Sequence, residues 1–337
     1  MEFERVGSFA LGWGESLVWD EQRHRLYFVD CLRSTVHWLE YGSDELHTTT
    51  TPSMPTGLVP TDDGRLLVAL EDGMYVLDPD GAHCELLSPY PDELDGRAND
   101  ACADLDGNLI TGRLNLAPAG GSAWWFSPHH GWRLLDPDIS NTNGPQAAVL
   151  DGVDTLIIGD TAAQYYAYPY SASTGTVGER RVFGDVSSVD GHPDGSTLDS
   201  EGGLWCALFD GGHLVRFTTT GLDEAVELPM RNPTDATFGG PALDQLYVVS
   251  TDGPEELAGA LIEVKGIHRN GDPSRGSVCP GRDPQRHRAA GGHPLILGCT
   301  SRFKDEAGTV MLETVRARQK NLGHQVEVPR PGAAAAG

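Results

Sequence analysis

Basic residues are scarce in this chain of 337 residues: Lys and Arg number 24 against 49 Asp and Glu, a formal net charge of −25. A field of that sign repels polyanions, which argues against a nucleic-acid partner or an anionic membrane surface. Long apolar runs are also lacking; none approaches the ~20 residues that span a bilayer. The opening Met1-Glu2-Phe3-Glu4-Arg5 carries acids where a secretory leader carries basic residues, so the expectation is a cytoplasmic protein. Six cysteines, Cys31, Cys84, Cys102, Cys206, Cys279 and Cys299, show no CxxC spacing, which excludes a disulfide scaffold and predicts reduced thiols. The 12 histidines contain no HxH or HxxxH pair, which disfavours a histidine zinc site. No GxSxG elbow offers a serine nucleophile. Before residue 265 no segment sustains a helical period, so helical fold classes drop out.

The charge is uneven. Residues 266–337 hold 11 basic and 6 acidic residues, against a strongly acidic remainder. This last stretch includes Arg282-Asp283-Pro284-Gln285-Arg286-His287-Arg288 and ends in Pro329-Arg330-Pro331-Gly332 and four alanines. Low apolar content with Pro, Gly and Arg bias predicts a main domain over 1–276 and a basic, poorly ordered or weakly docked tail over 277–337. One short helix is expected near Asp305–Lys320. A binding arm is the functional alternative for the tail, but it lacks interleaved aromatics.

What the acidic part does have is a repeat. A turn rich in Asp and Gly, a short apolar strand, a second turn and a second apolar strand recur, with leucines at Leu26, Leu66, Leu109, Leu156, Leu204 and Leu246. Successive leucines are 40, 43, 47, 48 and 42 residues apart. Six short-strand units at that period predict an all-β six-bladed β-propeller. A β-sandwich gives no reason for the period. Ring closure is expected from an N-terminal strand near Phe3–Leu11 that completes the blade containing Gly259–Val264, because a closed ring leaves no free sheet edge.

A propeller is a scaffold, so function rests on what projects into its central channel. Four polar clusters flank the expected inner strands, one per blade: Gly14-Glu15-Ser16, Arg97-Ala98-Asn99-Asp100, Asn141-Thr142-Asn143-Gly144 and His192-Pro193-Asp194-Gly195. Taken singly, each has a bland reading. Asn143-Gly144 and Asp194-Gly195 are ordinary turn dipeptides, and Arg97 with Asp100 could be a surface ion pair of little worth. Their placement in separate repeats changes the weighing. Glu15 and Asp194 with the amides of Asn99 and Asn143 form an all-oxygen set suited to a hard divalent cation.

The order of these clusters resembles the senescence marker protein/regucalcin and gluconolactonase family. The resemblance runs over roughly residues 8–275. It rests on Gly14-Glu15-Ser16-Leu17-Val18-Trp19-Asp20, on Arg97-Ala98-Asn99-Asp100 with Asp104-Leu105-Asp106-Gly107, on Asn143-Gly144 with Ile158-Gly159-Asp160, and on Pro193-Asp194-Gly195 with Gly202-Gly203-Leu204-Trp205. It implies a six-bladed propeller that hydrolyses a small-molecule sugar lactone with one divalent metal, Ca²⁺ foremost and Zn²⁺, Mn²⁺ or Mg²⁺ as alternatives. Carried over residue by residue, the metal ligands fall on Glu15, Asn143 and Asp194. Asn99 faces metal or substrate, and Arg97 holds substrate oxygens. Water would be the nucleophile, with Asp194 or a neighbour such as Asp199 accepting its proton. The chain departs from the pattern at Gly112-Arg113-Leu114, where Arg113 replaces a small residue. Arg113 is therefore a candidate reader of an anionic or hydroxyl-rich substrate group. Two other classes stay open: a related ester or phosphotriester hydrolase or biosynthetic enzyme, and a non-catalytic calcium-binding propeller.

Overall fold

The computed structural model describes residues 1–93, 96–114, 120–162 and 164–273. The expected helix and the tail from 277 lie outside them, as do Cys279 and Cys299. Six antiparallel sheets follow one another along the chain, five of four strands and one of five. The expected six-bladed propeller is what forms.

Each repeat leucine lies on the second strand of its blade, within Arg25–Asp30, Leu66–Ala69, Leu109–Leu114, Val153–Asp160, Leu204–Phe209 and Gln245–Ser250. All six are at most 3% exposed. Each buried leucine contributes about 1.5–3 kcal/mol relative to exposure, and the cores they seed are packed between adjacent blades. The Asp-Gly turns ahead of these strands have a shared mechanism. Asp104 Oδ1 accepts from the backbone N–H of Asp106 and Asn108, and Asp199 Oδ1 from those of Glu201 and Gly203. Gly107 and Gly202 take the left-handed conformations that such turns need, at φ 82° and 78°.

Closure is provided by the N-terminus, as expected, with shorter bounds. The strand is Glu2–Val6, paired antiparallel to Leu261–Lys265, so the sixth blade is built from both chain ends. The innermost strands correct the sequence reading. The polar clusters do not flank the inner strands; they form the opening residues of four of them, with Asn141 just ahead of its strand. The inner strands run Gly14–Asp20, Gly57–Pro60, Arg97–Ala103, Thr142–Leu150, His192–Leu198 and Pro233–Gly239. Each packs against the inner strands of both neighbouring blades, so the six form a ring around the axis. Cys31, Cys84, Cys102 and Cys206 are free thiols. Among the described residues no helix is long and apolar enough to cross a membrane.

Candidate functional site

Five of the six inner strands slip register against their second strands at the same level, between Glu15 and Val18, Asn99 and Ala101, Asn143 and Gln146, Pro193 and Ser196, and Pro233 and Asp235. Such bulges re-aim side chains and leave backbone groups without ladder partners. Ser16, Asp100 and Gly144, each following a candidate ligand, have φ of 53°, 53° and 46°. The bulges put Glu15, Asn99, Asn143 and Asp194, from four different blades, at one level of the channel.

Hydrogen bonds tie this level together. Asn99 donates through Nδ2 to Thr142 O at 2.8 Å and to Asn143 Oδ1. Its own Oδ1 accepts from Arg97 Nη2 at 3.2 Å. Asn143 Nδ2 donates to Thr161 Oγ1 at 2.6 Å and to Pro193 O at 3.1 Å, which turns Asn143 Oδ1 toward Asn99. Tyr165 donates its hydroxyl to Asp194 O at 2.5 Å, fixing the fifth-blade strand from behind. Glu15 Oε1 accepts from Trp13 Nε1 at 3.1 Å, and the Arg97 guanidinium lies 5.7 Å from the Trp13 ring centroid.

Charge is the dominant feature. Burial, then repulsion from Asp100, pushes Glu15 up to about 8, although the Trp13 hydrogen bond and Arg97 pull it back. Burial raises Asp100 to about 6. Asp194 is held well above the usual carboxylate range by burial, then by Glu15, Asp100 and Asp235. Asp235 is raised by burial, then by Asp100 and Glu15. Four carboxylates thus act on one another here, Asp194 and Asp235 buried and Glu15 and Asp100 half-buried, with Arg97 as the cation acting on Glu15. Groups that repel one another when ionised would all be relieved by a positive ion among them.

Two of the four are already engaged by backbone. Asp100 accepts from Ala101 N at 2.7 Å and Gly144 N at 2.6 Å, and Asp235 from Leu17 N and Ala236 N, both at 2.7 Å. Glu15 and Asp194 are the carboxylates not committed to a neighbouring blade. Among the described residues no three His, Cys, Asp or Glu side chains are grouped at metal spacing; the donor set here is two carboxylates with amide oxygen, and its hard oxygens suit a hard divalent cation. Below this level Ser16, Asp100, Gln146, Ser196 and Asp235 line a cavity of about 110 Å³ that continues along the axis.

Two sequence expectations read differently in three dimensions. Asp199 is no base beside Asp194. Its carboxylate sits in the turn before the fifth repeat leucine, bound by Arg216 Nε at 2.6 Å and Trp205 Nε1 at 3.0 Å, and Arg216 draws its pKa below the ordinary value, so it is poorly suited to accept a proton. Arg113 is 5% exposed, one strand out from the ring, with its guanidinium 4.7 Å from the Tyr90 ring centroid. Asp235, by contrast, was missed. The available signal was its offset: the ring residues stand 10 to 13 positions ahead of each repeat leucine, and Thr234-Asp235 occupy that place ahead of Leu246.

Residues 13–252 match the family model described as SMP-30/Gluconolactonase/LRE-like region. The chain belongs to this family. A pentonolactonase from Haloferax volcanii is 28% identical over 75% of this chain and 86% of its own length. A 6-deoxy-6-sulfogluconolactonase from Pseudomonas putida is 32% identical over 73% of this chain and 86% of its own. Among solved structures, a calcium-binding protein, regucalcin, from Agrobacterium tumefaciens superposes with a TM-score of 0.72 at 26% identity, covering 80% of this chain and 95% of that one. The family match spans all four polar clusters, so the ring at the blade bulges belongs to the part of the chain that the family shares.

Proposed function

We propose that this protein is a divalent-metal-dependent lactonase that opens a sugar lactone with water. The observation that carries the reading is the convergence of Glu15, Asn99, Asn143 and Asp194 from four blades on one level of the channel, where burial and then neighbouring carboxylates raise the pKa of Glu15 and of Asp194. Glu15, Asn143 and Asp194 would hold the ion. When bound, a divalent cation polarises a carbonyl and acidifies water, which removes the need for a histidine base. Asn99 orients Asn143 through the hydrogen bond from its Nδ2 to Asn143 Oδ1 and is a candidate fourth oxygen donor. Arg97, steadied by Asn99 Oδ1 and the Trp13 ring, offers guanidinium donors to the lactone carbonyl or its hydroxyls. Asp194, raised by burial and then by three neighbouring carboxylates, accepts the proton of the attacking water and returns it to the departing ring oxygen, so that one water and one lactone give one hydroxy acid.

A second reading is a calcium-binding propeller without turnover, favoured by the description of the Agrobacterium relative as a calcium-binding protein. One experiment separates the two. Chelator-stripped protein is offered a panel of aldonolactones with Ca²⁺, Mg²⁺, Mn²⁺ or Zn²⁺, and acid release is followed at constant pH. Metal-dependent turnover of at least one lactone is expected. Tight metal binding with no acid release across the panel would establish the non-catalytic reading instead.

A further inference from the structure

In the sixth blade the level of Glu15, Asn99, Asn143 and Asp194 is occupied by Thr234 and Asp235, and both side chains reach across to the first blade. Thr234 Oγ1 donates to Gly14 O at 2.5 Å, and Asp235 Oδ2 accepts from Leu17 N at 2.7 Å. Gly14 and Leu17 bracket Glu15-Ser16, the bulge at which the first-blade inner strand slips register. Ser16 adopts a left-handed φ of 53° there, a conformation that costs a non-glycine residue energy and persists only where its surroundings hold it. The second blade adds a third tie, Leu58 N donating to Ser16 Oγ at 2.7 Å. Thr234 is 0% and Asp235 6% exposed, so water does not substitute readily for either bond.

We infer that Thr234 and Asp235 are positioning residues for Glu15: from the sixth blade they clamp the backbone on both sides of it and hold its carboxylate in the orientation a cation requires. The inference rests on the metal reading above. It follows the general behaviour of groups behind a metal ligand, whose loss weakens binding by releasing the ligand and not by removing a donor. The third blade repeats the device at a second ligand, where Asp100 Oδ2 accepts from Gly144 N directly after Asn143. At the seam between the sixth and first blades the clamp ties the inner strand Pro233–Gly239 to the inner strand Gly14–Asp20.

The test uses the full chain stripped with chelator and titrated with Mn²⁺ alone, free Mn²⁺ being read by electron paramagnetic resonance. Asp235→Asn should weaken Mn²⁺ binding roughly ten- to a hundredfold. Thr234→Val, which leaves every charge in place, should weaken it about three- to tenfold, the loss of one buried hydrogen bond. Thr234→Ser keeps the hydroxyl and should bind like wild type. Weak binding by Asp235→Asn with unchanged binding by Thr234→Val would overturn the clamp, because charge alone would then account for the effect. Unchanged binding in both variants, with binding lost in Asp194→Asn, would also overturn it while leaving the metal reading intact. A wild-type protein that binds neither Mn²⁺ nor Ca²⁺ refutes the metal reading and the clamp together. Should Asp235→Asn fail to give a cooperative melt in chelator, the two Thr234 variants decide the matter by themselves.

Discussion

Asn99 donates its side-chain amide to Asn143 Oδ1 across the seam between the third and fourth blades, while its own Oδ1 accepts from Arg97. One amide thereby couples the Arg97 guanidinium to a candidate metal ligand. Both bonds require Asn99 to be an amide, since a carboxylate there could accept from Arg97 but could not donate to Asn143.

The ring residues should therefore separate into two grades of effect. Glu15→Gln and Asp194→Asn each remove a negative charge and Asn143→Ala an oxygen donor, and each should lower kcat/KM by about two orders of magnitude or more, with loss of the rise in melting temperature on adding Ca²⁺. Asn99→Ala acts mainly through Asn143, so its loss should be nearer tenfold. Steady-state rates and melting curves with and without Ca²⁺ check both. An Asp194→Asn protein with wild-type turnover and wild-type metal stabilisation would sink the assignment.

The pH dependence of the metal-free protein follows from Glu15 and Asp100, raised from 4.5 to about 8 and from 3.8 to about 6. A carboxylate whose folded pKa lies above its unfolded value binds more protons in the native state. Stability must then fall as pH rises through the interval between the two values. In chelator, the melting temperature should decline from about pH 4.5 to about pH 8. Metal binding releases those protons, so the stabilisation by Ca²⁺ should be larger at pH 8 than at pH 5. A Ca²⁺ effect that is the same at both pH values would show that these carboxylates are not the binding groups.

Asp199 should behave as a structural acid. Its carboxylate is fully buried and gripped by Arg216 through Nε at 2.6 Å and Nη2 at 3.1 Å. Asp199→Ala leaves that guanidinium without its buried partner and should cost about 3–5 kcal/mol in guanidinium unfolding, while activity per folded molecule stays within about twofold. Lost turnover at unchanged stability would return Asp199 to the list of candidate bases.

Arg113 is the residue to test for substrate choice. If it reads an anionic substituent, Arg113→Thr should lose about 1.5–3 kcal/mol of kcat/KM on a lactone bearing a carboxylate or sulfonate, and little on a neutral aldonolactone. Equal, small losses on both would confine Arg113 to its stack on Tyr90.

A chain ended at residue 276 should keep the full-length melting midpoint and activity. The ring is closed by the pairing of Glu2–Val6 with Leu261–Lys265. Backbone bonds from Ser200 N to Asn270 O, Gly271 N to Leu243 O and Asp272 N to Leu198 O fasten the segment that follows. Aggregation of the shortened protein, or a drop of more than a few degrees in its melting temperature, would show that the propeller leans on its tail.

The amino-acid sequence by itself determined the repeat, the blade count and the closing strand. Those features are local: a buried leucine on every second strand, an Asp that caps the turn before it and a Gly that lets the turn reverse are legible wherever they recur. It also marked Glu15, Asn99, Asn143 and Asp194, because each stands in a polar cluster 10 to 13 residues ahead of its repeat leucine. Only the tertiary structure decided what lies around them. The inner strands are short of apolar residues and broken by bulges, so no period of two announces them, and several of their side chains bond to other blades. Asp20, Asp100, Asp199 and Asp235 are alike as letters. Ring closure carries Asp100 and Asp235 to the channel level of Glu15 and Asp194, where burial and charges far apart in sequence raise the pKa of Asp194 and Asp235. The same closure leaves Asp199 in an outer turn beside Arg216, because the field at each carboxylate depends on distance through space and not along the chain.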